Sequence, residues 1–431
     1  MNVSNEMDLQ AVAGRALACM QREGFEHAQV GASSTLHTEL NLAHDEPSLM
    51  RTTEQRKLSL LGIVDGRKAA TELTAFDDEA VRERVASLVE QARTAPRDDA
   101  NAVSSGQRTG IVQGPLQPDQ ALMADKMREL LDYRAAQTPK MTLEEGVVSH
   151  THVQARVLTS GASDLSWRLG WYAMSVMGTA RDGRRSSSFA YTGGSCHDLA
   201  AGHATSRFGI GDMLRDTVRQ IDTRPVGDNF VGDVVLAPQA IEELLQWLQG
   251  QVSDVQLIAG NSLYRDRVGD AIASPLLTLK SRFDAPGVAA ISADAFATPP
   301  IHLLRAGRLE TLTPSLYASR KTGLPHVPVA GSGWELEAGD TPRDRLVGGV
   351  QRGALVGRLS MGAPAANGDF SGVIKNSFLI EGGALGPALS EVMIAGNIAR
   401  MLKDVVAVSH ERIDTGDWLL PWVRIGGLNF S

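Results

Sequence analysis

The sequence is short of several things, and each shortage excludes a class of protein. Two cysteines, Cys19 and Cys196, occur in 431 residues. Two cannot build a disulfide framework, so a reducing compartment fits. Basic residues are outnumbered and the formal net charge is −8. A nucleic-acid binder needs a basic surface to release counterions, so neither DNA nor RNA is expected as a partner. No run of about 18 apolar residues is present, as a membrane-spanning helix would require. The opening MNVSNEMDLQ has no basic-then-apolar leader pattern. The expectation is a soluble, cytoplasmic protein that touches neither membrane nor nucleic acid. Aromatic residues are only 5%, whereas glycine occurs 43 times, a balance that favours many turns and strands.

Hydrophobic residues make up 43%, enough for a large core, and the length predicts two domains. Leu9, Val12, Ala13, Ala16, Leu17 and Met20 recur at helical spacing, with Gly24 as the stop. Residues 27–32 and 36–42 read as short strands. The stretches 58–64 and 68–73 form a hairpin around Asp65-Gly66. Asp77 or Asp78 caps a helix carrying Val81, Val85, Leu88, Val89 and Ala92, which Pro96 ends. Residues 98–118 read as an exposed loop and 119–135 as a helix. A long strand follows. Val147, Thr151, Val153, Ala155 and Val157 lie on one face; His150, His152, Gln154 and Arg156 lie on the other, read as solvated. Trp167, Leu169, Trp171 and Ala173 form the apolar face of the next strand, and 199–221 reads as helical. The pattern breaks over 222–231, which divides the chain into 1–224 and 225–431.

The most informative stretch is 353–397. Phe370, Gly372, Ile374, Phe378 and Ile380 alternate with Asp369, Ser371, Lys375, Ser377 and Glu381, and only Asn376 interrupts the apolar face. That period of two predicts a half-buried strand. Asn367-Gly368 before it is a turn dipeptide, and 389–395 returns as a second strand. Asn397 caps a helix with Ile398, Met401, Leu402, Val405 and Val406 on one face.

Within this stretch, Asn-Gly-Asp-Phe-Ser at 367–371, Ile-Glu-x-Gly at 380–383 and Met-Ile-x-Gly-Asn at 393–397 resemble the C-terminal signature of the TldD/PmbA family, closer to its PmbA (TldE) branch. The resemblance covers most of the chain and is best from about residue 228. It implies an α+β fold: an N-terminal α/β domain, then a mainly antiparallel β, barrel-like C-terminal domain. It also implies zinc metallopeptidase chemistry on peptides and unfolded proteins, and assembly as a dimer. The older family name, modulator of DNA gyrase, sits poorly with the acidic balance.

The zinc-bearing branch carries His-Glu-x-x-x-His on a helix after a short strand; the two His hold zinc and the Glu activates the bound water. Here 234–238 is the strand and 239–250 the helix, with Ile241, Leu244, Leu245 and Leu248 at helical spacing. The corresponding residues are Gln246-Trp247-Leu248-Gln249-Gly250-Gln251. Gln246 and Gln251 replace the His ligands and Trp247 the Glu. Glutamine is a poor zinc ligand, and Trp accepts no proton. The branch's Cys beyond its Gly-Asn segment is missing too, since no Cys follows Cys196. The resemblance therefore implies a non-catalytic chain without a metal of its own. Zinc is expected in a TldD-like partner, in a heterodimer; pairing with itself is the alternative.

Other constellations each admit two readings. Cys196-His197-Asp198 with His203 offers a Cys/His hydrolase or a metal cluster, against a plain polar loop, which we favour. His150 and His152 share a strand face that could hold a metal, against a solvated polar face. In 317–323, Tyr317, Arg320 and Lys321 resemble a cleft segment of the family and are peptide-binding candidates, against a solvated turn. Asn367 and Asp369 are further candidates beside an edge that could accept a peptide strand, against a turn that sets register. The apolar 418–423 reads as a core strand or a partner contact. The functional alternatives are a homodimeric hydrolase using Cys196 or another metal site, and a peptide-binding module without catalysis.

Overall fold

The computed structural model describes residues 8–390 and 392–431. The opening seven residues, read above for a leader, lie outside these, as does Glu391 within the expected strand 389–395. Among the described residues the strands form two sheets, of eight and fourteen strands. The fold is mixed α+β. No helix among these residues is long and apolar enough to cross a membrane.

The first half runs α1 (Leu9–Arg22), β1 (His27–Ala43), β2 (Glu46–Val64), β3 (Arg67–Leu73), α2 (Asp78–Thr94), β4 (Arg108–Gln113), α3 (Gln120–Gln137), β5 (Met141–Thr159), β6 (Asp164–Asp182), β7 (Arg185–Ser186), β8 (Ala190–Cys196) and α4 (Ile210–Arg219). The strand order is β3-β2-β1-β5-β6, with β4 parallel to the first part of β6 and β8 antiparallel to its second part. The register places Val30 opposite both Leu60 and Leu158, and Val148 opposite Met174. These residues share one face, and α1 to α4 pack against that face in two apolar clusters. The other face, with Ser149, Trp171, Ala173 and Ser175, is turned to a cleft.

Several expectations change here. The two short strands in 27–42 are one, because β1 pairs continuously with β2 and β5 and its polar middle is held by both ladders. The expected loop 98–118 contains β4, a half-polar strand formed only by adding to β6. Of 199–221, only a 3-10 turn at Ala204–Ser206 and α4 are helical, separated by Gly209 at φ 72°. On β6 the helix-covered residues are Tyr172, Met174 and Val176, so Trp171 and Ala173 are a cleft wall rather than the core. The supposedly solvated His150 is 1% exposed and packs edge-on to Tyr172.

The second sheet begins with β9 (Thr223–Arg224). Its centre is β10 (Phe230–Leu236), antiparallel to Trp418–Phe430 and parallel to Arg352–Val356. Trp418–Phe430 also pairs with Trp334–Leu336, Val392–Asn397 and Val405–Asp414, so the sheet branches around it. Leu420, Val423 and Ile425 on that strand are core residues. Helix α5 (Pro238–Gln251) follows β10, with proline in its first turn, where no helical N–H is lost. Ile241, Leu244, Leu245 and Leu248 on it are fully buried, each contributing about 1.5–3 kcal/mol.

The alternating run from 369 is two strands, Asp369–Lys375 and Phe378–Glu381. The break is Asn376, the residue that interrupted the apolar pattern, at φ 50°. Asn397 caps Ile398–Lys403 as its sequence predicts, accepting from the Arg400 amide at 3.0 Å. Val405 and Val406 lie beyond that helix, in the next strand.

Candidate functional site

The degenerate motif and the Asn-Gly-Asp turn meet at the end of α5. Gln251 is 2% exposed. Its Nε2 donates to the Ala366 carbonyl at 3.0 Å, and its Oε1 accepts from the Leu263 amide at 3.0 Å. Gly368 has φ 89°, and a Cβ there would stand 3.0 Å from the Trp247 ring. Trp247 therefore packs over this glycine and lies edge-on to Tyr264. Gln246 is exposed and donates to Glu242 at 2.8 Å.

Across the turn, Asp369 stands opposite Asn397 in the ladder. Asn397 Nδ2 donates to Asp369 Oδ1 and to the Asn367 carbonyl, both at 2.8 Å, and Asn367 Nδ2 donates to Asp369 Oδ2 at 2.8 Å. These bonds, Asn397 first, hold the Asp369 carboxyl below its ordinary range. Asn367 and Asp369 thus engage each other and Asn397. The donor set does not fit zinc: it offers neutral amides and a single carboxylate, Asp369, bonded to Asn367 and Asn397, and no imidazole or thiolate. Among the described residues, no group of three or more His, Cys, Asp or Glu side chains could hold a metal ion.

A cleft of about 880 Å³ opens on the other side of α5. Its walls are the helix-free face of β5, β6 and β8, helix α4, the start of α5, and the strands around Trp418 and Trp422. Five carboxylates line it (Glu145, Asp212, Asp216, Glu242 and Asp417), with two guanidiniums, Arg343 and Arg358. Arg343 donates to Asp212 at 3.1 Å and lies 4.6 Å over the Trp422 ring. Arg358 lies 4.5 Å over Tyr191. The Glu242 carboxyl is pushed up to about 7, first by burial and then by Glu243 and Asp417, against the pull of the Gln246 amide. Burial likewise raises Asp216. A large concave site lined by aromatic side chains and shifted carboxyls has the character of a ligand site. The sequence reading missed it. The one local signal was Glu242, an acid directly after apolar Ile241 on a helix that packs into the core.

The remaining candidates lie elsewhere. Leu316–Thr322 is a helix, closed by Gly323 at φ 75°, rather than a turn. Tyr317 donates its hydroxyl to Asp98 at 2.7 Å, Lys321 pairs with the same carboxylate at 3.0 Å, and Arg320 reaches the Asn101 carbonyl at 3.4 Å. The three side chains join this helix to the segment after α2. Cys196 stands opposite Tyr172 in the ladder and packs against the helix-covered cluster. Burial pushes its thiol up to about 11, the reverse of what a nucleophile needs. His203 Nδ1 lies 2.9 Å from Thr205 Oγ1, capping the 3-10 turn. His150 Nε2 lies 2.7 Å from the Pro115 carbonyl, and burial lowers its pKa.

Comparison with known proteins gives consistent relatives. Residues 231–431 match the family model described as the PmbA/TldA metallopeptidase C-terminal domain. The chain is 23% identical to a protein named metalloprotease PmbA from Escherichia coli O157:H7, over 93% of this chain and 92% of that one. Among solved structures it resembles a protein named as a modulator of DNA gyrase from Bacteroides thetaiotaomicron VPI-5482, with TM-score 0.86, 22% identity and 98% of each chain covered. It also resembles TldE from Thermococcus kodakarensis, with TM-score 0.80, 18% identity, 97% of this chain and 100% of that chain covered.

Proposed function

The chain belongs to the TldD/PmbA family, and we propose that it is a TldE-like, non-catalytic subunit of a zinc metallopeptidase. It holds a peptide or unfolded protein while a TldD-like partner, bearing the zinc and the general base, cuts it. The division of labour between the domains falls near residue 224, and the working compartment is the cytoplasm.

The observation that carries this reading is the use made of the ligand positions. Gln251 ties α5 to the Ala366 turn, and Trp247 packs over Gly368. On the correspondence that the resemblance implies, one ligand position and the base position serve hydrogen bonding and packing here. The rival thiol hydrolase loses support from the raised thiol of Cys196.

The test pairs two measurements on the purified chain. Elemental analysis after mild dialysis should give far less than one zinc per chain. Peptidase activity on an unfolded substrate should be absent alone and appear when a sister chain carrying His-Glu-x-x-x-His is added. About one tightly held zinc, or chelator-sensitive cleavage by the chain alone, would overturn the proposal.

A further inference from the structure

We infer that the interdomain cleft is itself a binding site for an extended cationic peptide segment, with a lysine or arginine side chain seated between Glu242 and Asp417. This rests on the reading of the chain as a peptide-holding subunit, and it adds the substrate class and the residues that select it.

The charges of the cleft are unequal in kind as well as number. Both guanidiniums are engaged, Arg343 with Asp212 and Trp422, and Arg358 with the Tyr191 ring. No Lys, Arg or His among the described residues pairs with Glu242 or Asp417. These two come from different elements, α5 and the turn before Trp418, line the same cleft, and the charge of Asp417 is among those that raise the Glu242 carboxyl. A cation placed between them converts a repulsion into two attractions, in a setting less screened than bulk water. A metal ion fits poorly, because no third His, Cys, Asp or Glu among the described residues completes a coordination set. A long aliphatic stem ending in one charge fits well. Trp171 and Trp418 line the same cleft and suit a methylene chain and a cation over a ring face.

A second observation points to a peptide rather than a free amine. Asn376 lines this cleft, and both the Nδ2 and Oδ1 of its side chain are buried without a hydrogen-bond partner. Such orphans are rare and call for a partner. A peptide group supplies one acceptor and one donor, matching the carboxamide once the Asn376 side chain turns into the cleft. The volume, about 880 Å³, is that of a ligand site large enough for a short segment of chain.

The test uses the full chain and fluorescein-labelled peptides of about eight residues, identical except for lysine, arginine, norleucine or glutamate at the centre. Fluorescence anisotropy should show lysine and arginine peptides binding about tenfold or more tightly than norleucine, with glutamate weakest, as expected for a charge seated between two carboxylates. The preference should shrink as salt is raised. In the double variant Glu242→Gln, Asp417→Asn it should fall below about twofold, whereas Glu54→Gln on the exposed β2 should keep it; circular dichroism confirms that both variants fold. Equal affinity for lysine and norleucine, or a preference that survives the double variant, overturns the cationic site and leaves the peptide-holding reading intact. Absence of binding by every peptide overturns the site as well, and the reconstitution with a zinc-bearing sister chain then decides the subunit reading separately.

Discussion

The Nε2 of Gln251 donates to the main-chain carbonyl of Ala366 at 3.0 Å. This bond fastens the last turn of α5 to the loop that carries Asn367 and Gly368. It also explains why a glutamine can be buried here without penalty: its carboxamide satisfies one acceptor, Ala366 O, and one donor, Leu263 N.

Gln251→Ala removes both bonds and leaves both main-chain groups without partners. The expected loss is about 2–4 kcal/mol of stability, read as a lower urea midpoint with an unchanged m-value. A loss under about 0.5 kcal/mol, the range of ordinary surface changes, would show that this junction does not hold the turn.

Asp98 is the shared acceptor between the segment after α2 and the helix Leu316–Thr322. The Ala100 amide, the Tyr317 hydroxyl and Lys321 depress its pKa to about 2. A depressed carboxyl contributes stability that is present above its ordinary 3.8 and is lost as pH falls through about 2. The Tm difference between the native protein and Asp98→Asn should therefore be constant from pH 5 to 7 and close below pH 3.8. Hydrogen exchange in 97–101 and 316–322 should rise in the variant. A difference that persists unchanged to pH 2 would remove the carboxylate from the explanation.

Glu242 has the opposite sign. Its pKa is raised from 4.5 to about 7, so between these values the folded state holds more protons than the unfolded one, and stability falls as pH rises through that window. Glu242→Gln removes this dependence. The variant should match the native protein near pH 4 and exceed it in Tm by a growing margin up to about pH 7, constant above. A Tm gap that does not change with pH would place the Glu242 titration elsewhere.

Cys196 should behave as an inert thiol. With its pKa pushed up to about 11, alkylation by iodoacetamide at pH 7.5 should run about a hundredfold slower than that of an ordinary cysteine. Cys196→Ser should leave peptide handling unchanged. Rapid labelling would revive the thiol hydrolase.

Much of the local structure was legible without coordinates. The apolar spacing of α2 and α5, the Asp65-Gly66 hairpin and the cap at Asn397 all depend on residues within a few positions of each other. Periodicity and turn chemistry report such short-range choices directly. The misreadings of His150 and Trp171 share one cause. Alternation on β5 and β6 shows that two faces exist but not which one is covered. Helices α1 to α4 settle that, and they put His150 inside and Trp171 on the cleft wall.

The sequence by itself determined the chemical identity of the motif positions. Gln246, Trp247 and Gln251 cannot do the work of two imidazoles and a carboxylate in any fold, because ligand and base character belong to the side chain alone. Only the tertiary structure decided what those residues do instead, and which distant residues meet. Asp98 and Tyr317 are 219 positions apart, and Glu242 and Asp417 come from separate elements, α5 and the turn before Trp418. Their proximity depends on how the sheets are laid together, which no local pattern encodes. The shifted carboxyl of Glu242 follows from that packing, because burial and a neighbouring charge are properties of a place in the fold rather than of a residue.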